Sequence, residues 1–448
     1  MKESWDLIVA GAGPAGCALA GKVARRGAKV LLLEKEQEPG LGRDWVVDVA
    51  RGTFEEAEVP EPSPAARWSE PASTVLVSSD STHVIELPPS PLLPVRNGLY
   101  IRELADWAAA GGARLRAGCT ARGAVVERDA VRGVAFSGRD GKEYTAEGPL
   151  VADCTGMPGV LRRSTPGAWG MAVPVGEGET VLARREVWKV DRKAARREVE
   201  AGRASDGRRV DRAGAYGVYS IQTCYLDIEG GFVDVLIGVK PGSGRKDADR
   251  LFEEYMAGLP YATEKIFGDG GPIPIRRPLS SPVCDRMLAL GDSACQVVPA
   301  HGSGTASALL AADLAAGTVL EALRRDEYGR EVLWEYAHAF MSGRGAVLAY
   351  YDVLRLHLDD ITVRDLDRLI EKGVLDADLV YSGLLPEPPA LRPSRLARQA
   401  YRGVASPLQL IGFALAGLKA ERTRRHYRRY PESWSPDRFA SWERGIPA

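Results

Sequence analysis

The chain has 448 residues, 45% hydrophobic and 27% charged, which is an ordinary balance for a globular protein with a large core. Its 59 basic and 60 acidic residues leave a formal net charge of -1, so the composition indicates neither a nucleic-acid partner nor an acidic one. The length predicts two or three domains, or one domain with interwoven parts. The six cysteines form no CxxC pair, and we expect reduced, mostly buried thiols and no metal site.

The N-terminal residues MKESWDLIVAGAG lead directly into a predicted strand and lack the pattern of a signal peptide. We expect no apolar stretch long enough to span a bilayer. The sequence therefore predicts a cytoplasmic protein.

The first segment predicts a complete βαβ unit of roughly 30 residues. Residues 6–10 form a short apolar strand and 11–16 (GAGPAG) a tight glycine turn. A helix over 17–26 and a second buried strand over 28–33 follow. This order of elements is typical of a dinucleotide-binding unit.

Each glycine of the turn has a physical role in such a unit. Gly11 permits the turn, Gly13 lets the backbone approach a pyrophosphate, and Gly16 lets the helix pack on the strand. The helix N-terminus supplies N–H donors and a positive dipole to the phosphates. Glu34 is placed to accept hydrogen bonds from ribose hydroxyls. Further contacts are expected from Pro14, Ala15 and Lys35.

Beyond this unit the composition changes. Residues 55–94 contain eight prolines, which separate strand-like pieces at 73–77 and 83–87 and predict an excursion from the nucleotide sheet. Residues 191–214 are highly charged and expected to be solvated. The other predicted elements are a helix over 102–110, strands over 122–127, 131–136, 149–154, 180–190 and 216–239, a helix over 305–324 and a mostly helical remainder from 331.

A second motif, Gly291-Asp292, follows the apolar strand 287–290 and precedes a glycine-rich loop over 299–304. It resembles the second FAD fingerprint of the p-hydroxybenzoate-hydroxylase-like flavoproteins. The resemblance implies that Asp292 binds the ribityl chain. It also implies that the loop faces the flavin pyrimidine ring, where a helix dipole stabilises the negative charge of reduction. The residues expected to face the ring are Gly302, Ser303, Gly304 and Thr305.

Three further pieces resemble the same superfamily. Gly42-Arg43 is similar to a stretch that reaches the FAD phosphates, and Arg102 to an arginine that contacts the flavin side. Asp153 and Gly156 match a motif near the ribose and pyrophosphate, with a turn cap as the alternative role for the aspartate. Val125 completes the expected cofactor contacts.

Within the superfamily, residues 271–278 (GPIPIRRP) and the tail around 426–431 and Trp442 resemble the geranylgeranyl reductase family. The resemblance implies an α/β fold: a Rossmann-like FAD-binding domain of glutathione-reductase type, an inserted antiparallel-sheet substrate domain and a helical C-terminal region. The implied boundaries are 1–75, 98–166 and 275–330 for the FAD-binding domain, 76–97 for a substrate-domain excursion, 167–274 for the substrate sheet and 331–448 for the helices.

The resemblance implies an FAD-dependent oxidoreductase that transfers a hydride from reduced flavin to a C=C bond of a small hydrophobic substrate, such as a prenyl chain. The alternative is a flavin monooxygenase, a hydroxylase or epoxidase acting through a C4a-hydroperoxide. A third hypothesis is a flavin-binding electron-transfer or regulatory protein with no organic substrate of its own. Because no second strand–GxGxxG–helix unit occurs, reducing equivalents are expected from transiently docked NAD(P)H or another external electron donor.

His301 is the candidate catalytic residue, as a proton donor or a stabiliser of reduced flavin, with a backbone-bonded loop histidine as the alternative. Cys295 would lie near the flavin but is expected to fill core volume. Trp45 and Asp48 follow Arg43, and two interpretations stay open for them: side chains that reach the active-site cavity, and the favoured surface or packing roles. The apolar segment 408–418, followed by basic residues, is either an interfacial helix that gives a peripheral membrane contact or a core helix before a solvated charge run.

Overall fold

The computed structural model describes residues 4–38, 40–241, 248–385 and 407–447. Within these residues the chain has a mixed α/β fold with a parallel nucleotide sheet, a large mostly antiparallel sheet and a C-terminal set of helices. The predicted α/β class is therefore confirmed.

The nucleotide sheet has six strands in the order β17-β18-β11-β1-β2-β7. All neighbours are parallel except β17 and β18. Its strands β1, β2, β11 and β18 are nearly continuous apolar runs because helices cover them, whereas the edge strand β7 carries two arginines. Their bounds are β1 Leu7–Ala10, β2 Val30–Glu34, β7 Arg114–Ala117, β11 Leu150–Asp153, β17 Val283–Cys284 and β18 Met287–Ala289.

Three helices pack around this sheet and contain much of the principal core: α1 Pro14–Ala24, α3 Asn97–Ala110 and α7 Thr305–Arg325. Helix α1 packs against both α3 and α7. Shorter helices lie at α2 Thr53–Glu56 and α4 Val160–Arg163. Beside the sheet, β8 Thr120–Glu127, β9 Ala130–Ser137 and β10 Glu143–Glu147 form an antiparallel three-stranded sheet.

The sequence analysis predicts no apolar stretch long enough to span a bilayer, and this prediction is wrong, because one helix has the required length and composition. Within the described residues, the 21-residue helix α7 contains an 18-residue stretch that is apolar enough to meet that test. Since 61% of this apolar stretch is buried, it is equally what a core helix requires.

The large sheet has seven strands in the order β16-β12-β15-β14-β13-β4-β5. Every pair is antiparallel except β13 with β4. The bounds are β4 Ser73–Val77, β5 Val84–Leu87, β12 Thr180–Val190, β13 Arg208–Ala213, β14 Ser220–Asp227, β15 Phe232–Val239 and β16 Ala262–Pro274. Two helices accompany it, α5 Arg192–Glu200 and α6 Ala248–Ala257.

Two features differ from the sequence predictions. The charged segment 191–214 is not simply solvated, because its second half is strand β13, in the interior of the large sheet. Two of its arginines pair with carboxylates there, Arg208 with Glu86 and Arg209 with Asp48 and Asp211. Strand β4 begins before the boundary expected at residue 75 and already belongs to the large sheet. The division into domains otherwise stays a prediction.

A two-stranded antiparallel ribbon, β3 Val46–Ala50 with β6 Leu92–Arg96, connects the nucleotide turn to the large sheet. The described part of the C-terminal region consists mostly of helices. Its helices are α8 Arg330–Phe340, α9 Ala346–Asp359, α10 Val363–Glu371, α11 Ala377–Ser382, α12 Pro407–Tyr427 and α13 Pro436–Arg444. Helix α12 packs against α9, and the tail stacks on α8 through Trp334 and Tyr430 with ring centroids 5.1 Å apart.

Candidate active site

A continuous cavity of about 1840 Å³ runs from the glycine turn, past the large sheet, to the C-terminal helices. Single small-molecule sites typically have volumes of roughly 300 to 1000 Å³. The cavity therefore has room for a large cofactor and a second molecule beside it.

The glycine turn forms one end of this cavity. Gly11 has a φ of +101°, and a Cβ there would lie 2.1 Å from the carbonyl oxygen of Cys154. A Cβ on Gly16 would lie 1.9 Å from the carbonyl oxygen of Gly11, so both positions require glycine for close packing. Gly13 differs, because a Cβ there would meet nothing within 4 Å. Gly13 lines the cavity, and its lack of a side chain leaves room for a ligand rather than for the protein.

Polar groups at the turn are arranged to bind a nucleotide. The side chain of Glu34 is buried and accepts hydrogen bonds from the backbone N–H of Ala12 at 2.7 Å and of Glu36 at 2.9 Å. Each carboxylate oxygen keeps acceptor capacity for a hydroxyl. Helix α1 has no side-chain cap at Gly13, so its first N–H groups face the cavity. Lys35, Pro14 and Ala15 also line this end.

The second loop approaches the cavity from the other side of β18. Asp292 lines the cavity, and burial raises the pKa of its carboxyl against the opposing effect of Arg43. Gly304, at the N-cap of α7, lies close to this carboxylate and provides no side-chain cap of its own. The cavity is also lined by Gly302, Ser303, Gly304 and Thr305. The N-terminus of a second helix therefore points into the cavity beside Asp292.

Arg43 lies between these two loops and the large sheet. Its guanidinium is 5.5 Å from the ring centre of Trp45. It also packs over strand β16, where a Cβ on Gly271 would lie 2.7 Å from Cζ of Arg43. Arg43 forms no ion pair within the described part of the chain, so its charge is available to a ligand. Trp45, for which a surface or packing role was favoured, lines the cavity as well.

A buried charge cluster forms the middle of the cavity wall. Arg185 makes a two-pronged pair with Asp234 at 2.9 and 2.8 Å and reaches Asp48 at 3.3 Å. Arg209 joins Asp48 at 3.2 Å and Asp211 at 3.0 Å. Burial alone would raise the pKa of Asp48, but the two arginines outweigh it and lower the pKa to about 2. Asp48 is thus ionised at neutral pH and faces two arginines whose pKa values are raised.

The far end of the cavity is an arm lined mostly by aliphatic and aromatic side chains of the C-terminal helices, with Arg355 of α9 as a charged residue among them. This set of side chains, called the apolar arm, suits a long hydrocarbon chain. The residues that line it are Leu354, Leu358, Leu366, Leu369, Val374, Leu375, Leu379, Val380, Leu384, Ile411 and Phe413.

The turn end fits FAD on its own chemistry: open space at Gly13, two uncapped helix N-termini for phosphate and flavin, and the buried acid Glu34 for a ribose. Comparison with known proteins agrees. Residues 6–165 match the FAD dependent oxidoreductase family profile. The digeranylgeranylglycerophospholipid reductase of Sulfolobus acidocaldarius is 24% identical over 100% of this chain and 97% of its own length. The chain is an FAD-dependent oxidoreductase. Its similarity to the Sulfolobus protein extends over the full length of the chain.

Solved structures show the same fold for this oxidoreductase. A geranylgeranyl bacteriochlorophyll reductase-like protein from Thermoplasma acidophilum superposes with a TM-score of 0.73 at 16% identity, covering 93% of this chain and all of that one. The flavin-dependent brominase Bmp2 gives a TM-score of 0.61 at 15% identity, covering 94% and 100%. Since reductases and halogenases share this fold, the fold alone does not identify the reaction.

Four residues that the sequence predicts as flavin contacts do not line the cavity. Gly16 supports helix packing, and Arg102 and Val125 lie in α3 and β8. Asp153 is fully buried and accepts hydrogen bonds from Thr155 and from the backbone N–H of Arg162 at 2.7 Å, as a turn cap does. Gly156, by contrast, lines the cavity. The binding roles of all these residues stay predictions.

His301 lines the cavity beside the second loop. Nδ1 accepts a hydrogen bond from the backbone N–H of Ser303 at 3.3 Å, so the ring proton lies on Nε2. Desolvation of the ring and the nearby charge of Arg344 lower the pKa of His301 to about 4. The residue is nevertheless among the exposed ones, since it borders the cavity. The imidazole is therefore neutral at neutral pH and acts as a hydrogen-bonding group rather than as a cation.

Sequence reasoning missed the charge cluster and the apolar arm of the oxidoreductase. Asp48, Arg185 and Arg209 come from three separate strands, and no local spacing relates them. Their only sequence signal is charge inside strand-like segments, which usually marks a solvated face. Cys295, expected to fill core volume, is fully buried, and burial raises the pKa of its thiol to about 11.

Proposed function

We propose that this FAD-dependent oxidoreductase reduces C=C bonds in the prenyl chains of a lipid-like substrate. The observation that carries the proposal is one cavity that continues from the nucleotide-binding turn into an apolar arm between the C-terminal helices. A prenyl chain is long, flexible and apolar, and such an arm would bury most of it. The relative from Sulfolobus, named for a digeranylgeranyl lipid, supports the same substrate class.

The residues of the chain would divide the work. We propose a glutathione-reductase-type arrangement in which the N-terminus of α1, Glu34 and Arg43 hold the pyrophosphate and ribose of FAD. Asp292 and the N-terminus of α7 would hold the ribityl chain and the pyrimidine side of the ring. Bound in its reduced form, FAD would supply the hydride.

The apolar arm would orient the substrate and exclude water from it. Leu366, Leu369 and Leu379 line the arm together with Phe413 of α12. Threading a chain along the arm would bring its double bonds in turn past the flavin end, without any change in the protein. The charge cluster lies on the wall between the two ends. A polar head group would stay beside this cluster, because burying it in the apolar arm without hydrogen-bond partners is unfavourable.

Reduction of a C=C bond needs a hydride on one carbon and a proton on the other. We propose His301 as the group that positions this proton, because Nε2 carries a proton beside the loop of the flavin end. Because its pKa of about 4 leaves the imidazole neutral, His301 would use its Nε2–H to orient a solvent molecule, and that solvent molecule would supply the proton. Asp48 stays ionised and cannot donate.

The electron donor and the location of the protein are also proposals. The sequence contains no second strand–GxGxxG–helix unit, so we propose transient docking of NAD(P)H or of another external donor. We propose a cytoplasmic protein in peripheral contact with the membrane that would hold a lipid substrate.

The reaction of the reduced enzyme with oxygen tests the proposal against a monooxygenase. The FAD-loaded protein is reduced anaerobically and mixed with oxygenated buffer in a stopped flow, with and without a detergent-dispersed polyprenyl lipid. Slow, single-phase reoxidation supports the reductase. Rapid reoxidation through a transient absorbing species, or an oxygenated product, would overturn it in favour of the oxygenase.

A further inference from the structure

The outer face of helix α12 carries an exposed stripe with two halves. Ile411, Leu415 and Leu418 are 54%, 59% and 54% exposed, the most strongly exposed large apolar side chains of the C-terminal helices in the described part of the chain. Arg422 and Arg425 continue the same line and are also exposed. The spacings of three and four residues place all five on one side of the helix. This set is called the α12 stripe.

The charge around the basic half of the stripe is predominantly positive. Residues 419–429 contain six lysines and arginines and a single acid, Glu421, which is mostly buried and pairs with Arg424 and Arg425. Lys419, Arg428 and Arg429 are exposed beside the stripe. A surface with apolar side chains at one end and basic ones at the other matches the interior and the anionic head groups of a lipid bilayer.

The opposite side of α12 faces the active-site cavity. Phe413, Ala414 and Gly417 line the apolar arm. Ile411 both lines the arm and is more than half exposed, so it lies at a mouth of the cavity. The apolar half of the stripe therefore borders an opening of the arm that would receive the hydrocarbon chain.

We infer that the α12 stripe docks the enzyme on an anionic lipid bilayer and sets the mouth of the apolar arm against the hydrocarbon region. Residues 411 to 418 extend roughly 10 Å along the helix, comparable with the roughly 5 to 10 Å depth that interfacial helices reach. The N-terminal half of α12 then enters the acyl region while the arginines stay among the phosphates. The docking surface rests on the stripe itself; its link to catalysis rests on the proposed function.

Vesicle flotation with the full-length, FAD-loaded protein tests the inference. The protein is expected to float with phosphatidylglycerol–phosphatidylcholine vesicles and to partition at least about tenfold less onto phosphatidylcholine alone or at high salt. Both Arg422→Glu/Arg429→Glu and Leu415→Gln/Leu418→Gln should lower partitioning roughly tenfold.

Matched controls replace equally exposed residues elsewhere. Arg26→Glu/Arg196→Glu should float like the wild type, as should Val84→Gln, whose side chain is 56% exposed on β5. Equal losses in the control and stripe variants would overturn the inference. So would a wild type that does not float, or stripe variants that instead break a dimer of the chain.

Reduction of detergent-dispersed prenyl lipid separates this inference from the proposed function. The stripe variants should keep wild-type rates there and lose activity only on vesicle-borne substrate. A wild type that floats but reduces neither form would remove the proposed function and leave the docking surface. A wild type that reduces dispersed lipid without binding vesicles would remove the docking surface alone.

Discussion

Replacement of Gly13 by alanine separates the ligand-binding role of the glycine turn from its structural role. Gly13 has a φ of -76° and a ψ of -174°, which any residue can adopt, and an added Cβ would meet no atom of the protein within 4 Å. The apoprotein should therefore be as stable as the wild type or more stable by about 0.4 to 1 kcal/mol, since alanine reduces the entropy of the unfolded chain.

The same methyl group would project toward the position where a pyrophosphate must approach the backbone. We expect the Kd for FAD to rise at least tenfold, a loss of about 1.4 kcal/mol or more. Titration of the apoproteins by flavin fluorescence measures the affinity, and urea unfolding without FAD measures the stability.

Substitutions of two other glycines serve as controls. Gly167→Ala has equal free space and lies away from the cavity, so it should leave FAD affinity unchanged and affect stability in the same direction as Gly13→Ala. Gly11→Ala should damage folding itself, because its Cβ would lie 2.1 Å from a backbone oxygen. Wild-type FAD affinity in Gly13→Ala would refute the placement of the phosphates at this turn.

Three further outcomes are expected. Asp48→Asn should cost about 2 kcal/mol of unfolding free energy at a fixed excess of FAD, from a pKa lowered from 3.8 to about 2. Because the lowered pKa belongs to an acid, this difference in unfolding free energy should be constant above pH 5 and shrink only as pH falls below about 4. The exposed Asp106→Asn serves as the control. A difference that varies between pH 5 and 8 would contradict the lowered pKa of Asp48. His301→Gln should lower kcat. The kcat of the wild type should show no titration near pH 6.5, since the pKa of His301 is about 4. An inflection near pH 6.5 in the wild type that is lost in the variant would refute a neutral imidazole. Leu379→Trp should shorten the apolar arm, so that KM rises for long prenyl chains and stays unchanged for short ones, and equal effects on both lengths would argue against the arm as the chain-binding site.

The parts of the site that the sequence predicts are those with local geometry. The turn at Gly11 and Gly13, the acid Glu34 and the loop after Asp292 each lie within one strand–turn–helix unit, whose spacing fixes their relative positions. The motif order along the chain also predicts that these units meet, and the cavity brings them together.

The remaining parts depend on contacts between distant segments. Strand β13 was expected to be solvated because its charges look exposed in sequence, yet Arg209 is neutralised by Asp48 of another strand. The apolar arm is formed by helices α9 to α12, whose apolar residues are equally consistent with an ordinary packed core. Nothing in the local sequence distinguishes a residue that faces a cavity from one that faces a neighbouring helix.

Anaerobic single turnover with a prenyl lipid tests the proposed function most directly. The FAD-loaded enzyme is reduced with two electron equivalents per flavin, mixed without oxygen with a geranylgeranyl lipid or its fully saturated analogue, and followed by flavin absorbance and product mass. Reoxidation with the unsaturated lipid alone, together with a gain of two hydrogens per flavin, is the predicted result. Flavin that stays reduced with both lipids, in protein that binds them, would contradict it.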